Sequence, residues 1–464
     1  MKKLRARAWP TALVVTTLFM FGNQPGNASS GPNTGSAAAS FQLSLDQAER
    51  EAMKTSNELK SYIASADAAH EQAGAQFSYL LPKLTFDGTY RYVTNVPTIS
   101  LPIPGVAALP FGTHQNYSIG PTLTYTLWDT GATTDAYHAL DRVAGARAED
   151  RKAAELQLLV EVRAAYVRVQ LALEEMRLVN DSLKLAEAQN HDITTNYHAG
   201  AASRLDSVDS QREVLNYLLQ FQQRQADLSA ALKDLLALTD EHPADVSHPG
   251  PPDVRNVTLV LNLDHLSKSL AEYGKWTFSP PDDHQPQIHS QELLAQSSEL
   301  QASSQKDALY PVLQVQARAS IDYPNGIVPE HVEQNTFTVA LSMPLFETDH
   351  TRHLAAEHYK EAESARFRKE QLQIDLQRDY QKAREMLDNL REQQNIASQD
   401  VLSSEESARL YYSSYKAGKI NFTDVLSANL RALTAKVDAA RIDAQILNQI
   451  IILKSISGGD SNHG

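Results

Sequence analysis

The 464-residue chain has no cysteine, which excludes disulfides, thiolate metal sites, a cysteine nucleophile and a lipidated N-terminal cysteine. Glycine (19) and proline (20) are sparse for this length, and the stretches between prolines are rich in Ala, Leu, Gln and Glu, a composition that favours long helices. Positive charge is in the minority, with 42 Lys and Arg against 56 Asp and Glu and a formal net charge of −14, so no nucleic-acid partner is expected. Beyond the N-terminus no apolar run is long enough to cross a bilayer as a helix. Signatures of catalysis are missing too. There is no Gly-rich phosphate loop or nucleophile elbow, and His353 and His358 stand five apart, off a common helical face. Catalytic residues, metal and cofactor are all expected to be none.

What is present begins with an address. Lys2, Lys3, Arg5 and Arg7 precede a short apolar core from Thr11 to Phe21, and Gly26-Asn27-Ala28 reads as a cleavage site, with Ala39 a second position. Residues 1–28 are therefore read as a signal peptide.

The rest is organised around a stretch that occurs twice. Tyr197-His198-Ala199-Gly200 is followed by Asp206, and Tyr415-Lys416-Ala417-Gly418 by Asp424, an offset of 218 in both cases (415 − 197 and 424 − 206). Each copy lies where one heptad-patterned run stops and another starts, so Gly200 and Gly418 read as the turns of two helical hairpins. Around them the pattern defines two structural repeats. The first, 29–262, has a helix from Leu43 to Leu81, strands at 83–93 and 115–127, a hairpin at 131–238 and a linker at 239–262. The second, 263–457, has a helix with an insertion at 274–284, strands at 312–323 and 335–346 and a hairpin at 349–457, followed by a polar tail at 458–464. The strands alternate apolar and polar residues, and Pro121 in the second one reads as an edge or bulge position. Leu159, Val162, Tyr166, Val169, Leu173 and Met176 step by threes and fours, the spacing of a coiled-coil seam.

Four amphipathic strands cannot close a barrel, and an open sheet exposes its edges. Either their apolar faces pack on helices in water, or several chains pool their strands in an outer membrane, with apolar faces to lipid and polar faces to a wet lumen. Strand length and the aromatic residues Tyr79, Trp128, Tyr310 and Phe346 at the helix–strand junctions fit the second arrangement. In it Arg91, Asp87, Arg318 and Asp322 line the lumen near the outer mouth, as solvated wall rather than a binding site. Three chains give twelve strands and an aqueous channel, whereas eight strands are filled by side chains.

The order of elements, with the Tyr-x-x-Gly turn and following Asp in each half, resembles the TolC-like outer-membrane efflux proteins over roughly residues 41 to 457. The resemblance implies a mainly α fold with a membrane β-barrel: long coiled hairpins forming a periplasmic α-barrel, and four strands per chain contributing to a trimeric twelve-stranded barrel. It implies a homotrimer in outer-membrane lipid that extends into the periplasm. Such a trimer serves as the passive exit duct of a tripartite efflux or type I secretion system, with a periplasmic adaptor and an inner-membrane transporter as partners. It also implies that Asp206 and Tyr415 help hold the periplasmic entrance shut and that Asp424 belongs to an acidic ring. The family's second acid is here Ser427, and its arginine is here Ile420 with Lys419 beside it; Asp209 adds negative charge in the first repeat. Helix capping for Asp206 and Asp424, and core packing for Tyr415, are the simpler alternatives, a carboxylate in a first helical turn being worth about 0.3–1 kcal/mol. A secreted or surface-exposed coiled-coil adhesin or scaffold is the alternative function.

Overall fold

Serine hydroxyls set the first two helices. Ser44 accepts a hydrogen bond from the Gln47 amide at 3.3 Å and opens α1 (Leu45–Thr55); Ser56 accepts one from Leu59 at 3.2 Å and opens α2 (Asn57–Phe77). The single helix read from Leu43 to Leu81 is thus two, broken where Ser56 takes ψ 116°, and its end is a 3-10 turn at Ser78–Leu80 before Pro82. The computed structural model describes residues 44–99, 109–239 and 263–458. The signal peptide at 1–28, nearly all of the linker at 239–262 and the tail after residue 458 lie outside the described residues.

The chain continues through β1 (Lys83–Tyr92), the short pair β2 (Thr98–Ile99) and β3 (Leu109–Pro110), β4 (Gln115–Trp128), α3 (Ala132–His198) and α4 (Arg204–Thr239). The pairing of β2 with β3 inside the proline-bearing loop was not legible in the sequence. The second half has α5 (Leu266–Tyr273), α6 (Pro286–Asp307), β5 (Val312–Tyr323), β6 (Val332–Ser342), α7 (His350–Lys416) and α8 (Phe422–Ile456). Compared with the sequence reading of 335–346, β6 starts earlier, because Val332 already pairs with Asp322, and ends earlier, at Ser342. The break between α5 and α6 stands where Ser56 stands between α1 and α2, so the second repeat's extra residues enter at an existing helix end and interrupt no helical hydrogen bonds. Trp276, within the extra segment, stacks on Tyr273 at 4.6 Å and lies under Arg163 and Lys454 at 5.7 and 5.5 Å.

The four long strands form one antiparallel sheet in the order β1-β4-β5-β6. Register runs Leu84, Leu123, Ala317 and Phe337 across one face and Thr85, Thr122, Arg318 and Thr336 across the other. One edge of β1 and one edge of β6 are left bare in the chain. Pro121 lies in a central strand, and the register with β5 does not shift across it, so it is at neither the edge nor the bulge that the sequence reading allowed. The ladder between β4 and β5 passes from Ile119–Ile321 to Thr122–Arg318 and omits Gly120 and Pro121. Proline has no N–H to offer there, and the backbones approach so closely that a Cβ on Gly120 would fall 2.0 Å from the Ala319 carbonyl oxygen.

The helices carry the core. A stripe on α3 from Leu158 through Val162, Val169, Leu173, Met176 and Leu183 packs on Tyr217, Phe221, Leu228 and Leu235 of α4, with Ala48 and Ala52 of α1 at one end. A matching stripe on α7 (Tyr380, Ala383, Leu387, Leu390) packs on Ile446, Leu447, Ile450 and Ile451 of α8. α3 and α7 have 67 residues each, and such a helix is about 100 Å long. α3 is also tied to α8. Buried Glu175 lies 2.9 Å from Arg224 of α4 and 2.8 Å from Arg441 of α8, and the Asn429 amide donates to buried Gln189 at 3.0 Å.

Candidate functional site

The two hairpin tips are built alike. At the end of α3, Gly200 has φ +77°, the Gly200 amide donates to Tyr197 at 3.0 Å and the Ala201 amide to Asn196 at 2.8 Å. At the end of α7, Gly418 has φ +72°, its amide donates to Tyr415 at 2.8 Å, and that of Lys419 donates to Ser414 at 3.0 Å. A left-handed residue after the last helical turn closes both, and only glycine takes that conformation without strain. The following helices restart differently. Ser203 and Asp206 form a reciprocal cap, with the Asp206 amide on Ser203 Oγ at 3.0 Å and the Ser203 amide on Asp206 Oδ2 at 3.4 Å. Asn421 caps α8 through its backbone alone, Asp424 donating to its carbonyl at 3.2 Å.

The tips meet. The Tyr415 hydroxyl faces the Asp206 carboxylate; burial, and then the charge and hydrogen-bonding capacity of that carboxylate, push its pKa up to about 12. A second junction lies beside it. Tyr412 donates to Asp192 Oδ2 at 3.0 Å, the Lys416 ammonium is 3.7 Å from the same oxygen, and it also sits 4.6 Å from the centre of the Tyr412 ring. Burial and the Asp192 hydrogen bond raise the Tyr412 pKa as well. Below both, Ile193, Phe422 and Val425 form a small buried core against which Tyr412, Tyr415 and Ile420 pack, the Tyr415 and Phe422 rings 5.3 Å apart.

Asp206 and Tyr415 are therefore in contact, and the other tip residues are placed around them. Asp209 is half-buried one turn along α4, while Lys419 and Asp424 are exposed at the α7–α8 turn. Ile420 enters the apolar cluster. Sequence reasoning missed Asp192, Tyr412 and Lys416. Tyr412 lies one turn before Tyr415 and Lys416 one turn after Tyr412, so inspection of that helical face would have found both; nothing in the sequence singles out Asp192.

On the sheet, three of the four proposed wall charges come together. Arg318 donates to Thr122 and to Ser118 at 3.0 Å each and lies 3.7 Å from Asp87; Ser118 in turn donates to Asp322 at 2.6 Å. Arg318 thereby reaches across the gap in the ladder, from Thr122 to Ser118. Arg91 stands apart, opposite Asn116 at the end of β1 away from the helices. On the apolar face at that end, Tyr117 stacks on Tyr323 at 5.1 Å with His331 against both. At the other end Tyr79, Trp128, Tyr310 and Phe346 are exposed. Among the described residues no cluster of three or more His, Asp or Glu is placed to hold a metal.

An amphipathic sheet with bare edges, girdled by aromatic residues and mounted on long paired hairpins, defines an outer-membrane channel continued by a helical tube. The chain matches the family described as outer membrane efflux protein over residues 48–240 and 283–459 and belongs to it. As a member it is an outer-membrane exit duct of the TolC-like type, reaching into the periplasm and without chemistry of its own. The adhesin alternative finds no support. Comparison with curated proteins gives no match.

Solved structures agree in fold. A membrane protein from Pseudomonas aeruginosa superposes with a TM-score of 0.70 at 19% identity, covering 89% of this chain and 93% of that one. The CmeC outer membrane channel of Campylobacter jejuni gives 0.70 at 17% identity, over 89% and 85%. The outer membrane protein VceC from Vibrio cholerae gives 0.70 at 14%, over 89% and 96%.

Proposed function

We propose that three copies of this chain close into one tube, a twelve-stranded barrel continued by a helical barrel, which passively conducts solutes delivered by an inner-membrane transporter through a periplasmic adaptor. The observation that carries this reading is the sheet. Its apolar face is bare, with Leu84, Phe86, Phe337 and Leu341 each about 70% exposed, and its two edges are unpaired. In an antiparallel sheet of even strand number the edges run in opposite senses, so β6 of one copy meets β1 of the next as a further antiparallel pair. The helices support the same closure. Leu205, Val208, Leu215 and Leu219 form an exposed heptad-spaced stripe on α4, and Ile374, Ile396, Leu402 and Leu410 are exposed on α7.

In this assembly the two structural repeats, 29–262 and 263–457, supply the walls, and the hairpin tips form the periplasmic entrance. Asp206 and Tyr415 act as a latch between the first and second hairpins, with Asp209, Lys419 and Asp424 lining the approach and Gly200 and Gly418 as the turns. Fractionation followed by electrophoresis in mild SDS tests the reading. The protein is expected in the outer-membrane fraction as an oligomer that converts to monomer on heating, and a soluble periplasmic monomer would overturn it.

A further inference from the structure

The polar face of the sheet differs in charge from the rest of the molecule. Register places Lys83, Asp87 and Arg91 of β1 and Arg318 and Asp322 of β5 on it, whereas β4 contributes Asn116, Ser118, Thr122, Thr124 and Thr126 and β6 contributes Gln334, Thr336, Thr338, Ala340 and Ser342. Three cations against two anions leave +1 per chain on this face (3 − 2), in a chain whose formal charge is −14. Both carboxylates are already engaged, Asp87 beside Arg318 and Asp322 by Ser118. Lys83 and Arg91 are exposed at the two ends of β1 and make no ion pair among the described residues.

Position decides what these two can meet. β1 is an edge strand, so the trimeric closure on which this inference rests brings it beside β6 of the next copy, and the polar face of β6 has no charged residue. Closing the barrel therefore leaves both cations unpaired.

We infer that the barrel is an anion-favouring exit, bracketed by a ring of three Lys83 at its inner end and a ring of three Arg91 at its outer mouth. Eight residues of strand separate the rings by about 27 Å, and each field reaches about 10 Å at 0.1 M salt, so they act as two successive filters. Solutes bearing carboxylate, phosphate or sulfate groups gain local concentration in this segment, and cations lose it. The tips, by contrast, mix Asp206, Asp209 and Asp424 with Arg204, Lys416 and Lys419.

Two measurements on the full-length trimer test this. The first is the reversal potential in planar bilayers under a KCl gradient, with the tips released by Asp206→Ala and Tyr415→Phe. Lys83→Gln with Arg91→Gln is expected to lower the chloride-to-potassium permeability ratio roughly two-fold, while Lys83→Arg with Arg91→Lys retains it. The second measurement exploits the absence of native cysteine. Thr338→Cys, midway along the neutral face of β6, should react faster with an anionic than with a cationic thiol reagent added from outside. Neutralising Lys83 and Arg91 should abolish that difference. A conducting trimer whose reversal potential and reagent preference ignore the neutralisations would overturn the inference and leave the duct intact. A chain that forms no trimer would overturn both, because the rings exist only in the closed barrel.

Discussion

Asp206 faces two demands at once. Its carboxylate accepts the Ser203 amide as half of a helix cap and also faces the Tyr415 hydroxyl of the other hairpin. Capping is satisfied by many residues, but the contact with Tyr415 ties two hairpins that share no backbone hydrogen bonds at this point. Replacing Asp206→Ala together with Tyr415→Phe should raise single-channel conductance several-fold, and unchanged conductance in a well-folded trimer would reject the latch. The sign of the pH effect follows from the raised phenol pKa. A group that holds its proton more tightly when folded gives its full stabilisation below its unfolded pKa of about 10. That stabilisation is lost as pH rises through the folded value of about 12. The Tyr415 phenol should therefore give no conductance change below pH 9, and a spectrophotometric titration should lose one late-titrating phenol in Tyr415→Phe. At this scale the sequence was legible in part: the repeated motif marked the turns and the family resemblance paired Asp206 with Tyr415, but neither could find Asp192, whose role depends on which α7 side chains stand opposite.

At the scale of the element, the repeats behave differently from their pattern at two places. The long N-terminal helix of each half is broken at the same point, by one serine in the first and by a longer segment around Trp276 in the second. Periodicity spans such a break without noticing it, because the apolar residues on either side still step by threes and fours. In the sheet, Pro121 reads from the sequence as an edge or bulge position because proline donates no amide. The chain places it centrally and lets the ladder lapse for two residues, with Arg318 bridging Ser118 and Thr122 across the lapse. Glycine is required there by proximity rather than by φ. Gly120→Ala should therefore abolish the heat-modifiable trimer. Gly200→Ala, where φ is positive but the space around the Cβ is empty, should cost about 1 kcal/mol and still assemble. Electrophoresis of both variants with and without heating checks the contrast.

For the whole molecule, the exposed apolar residues separate into two sets with different partners. In the proposed trimer, those on the sheet face lipid and those on α4 and α7 face the neighbouring copy. A charge in the second set should break assembly without unfolding the chain. Leu219→Glu is expected to leave helical content by circular dichroism unchanged while lowering the trimer fraction in sedimentation at least several-fold; a trimer as abundant as the wild type would exclude the α4–α7 seam. The sequence by itself determined the class of the protein. Heptads dictate long paired helices, alternation dictates one-sided strands, and the doubled turn dictates two hairpins, all of which are local consequences of spacing along the chain. Only the tertiary structure decided which tips touch, that β4 lies beside β5, and that the cations of β1 lie on a bare edge. Those are relations between residues hundreds of positions apart, and no periodicity within one element records its neighbour. The repeated turn marked the two hairpin tips; the packing of α3, α4 and α7 brought them together.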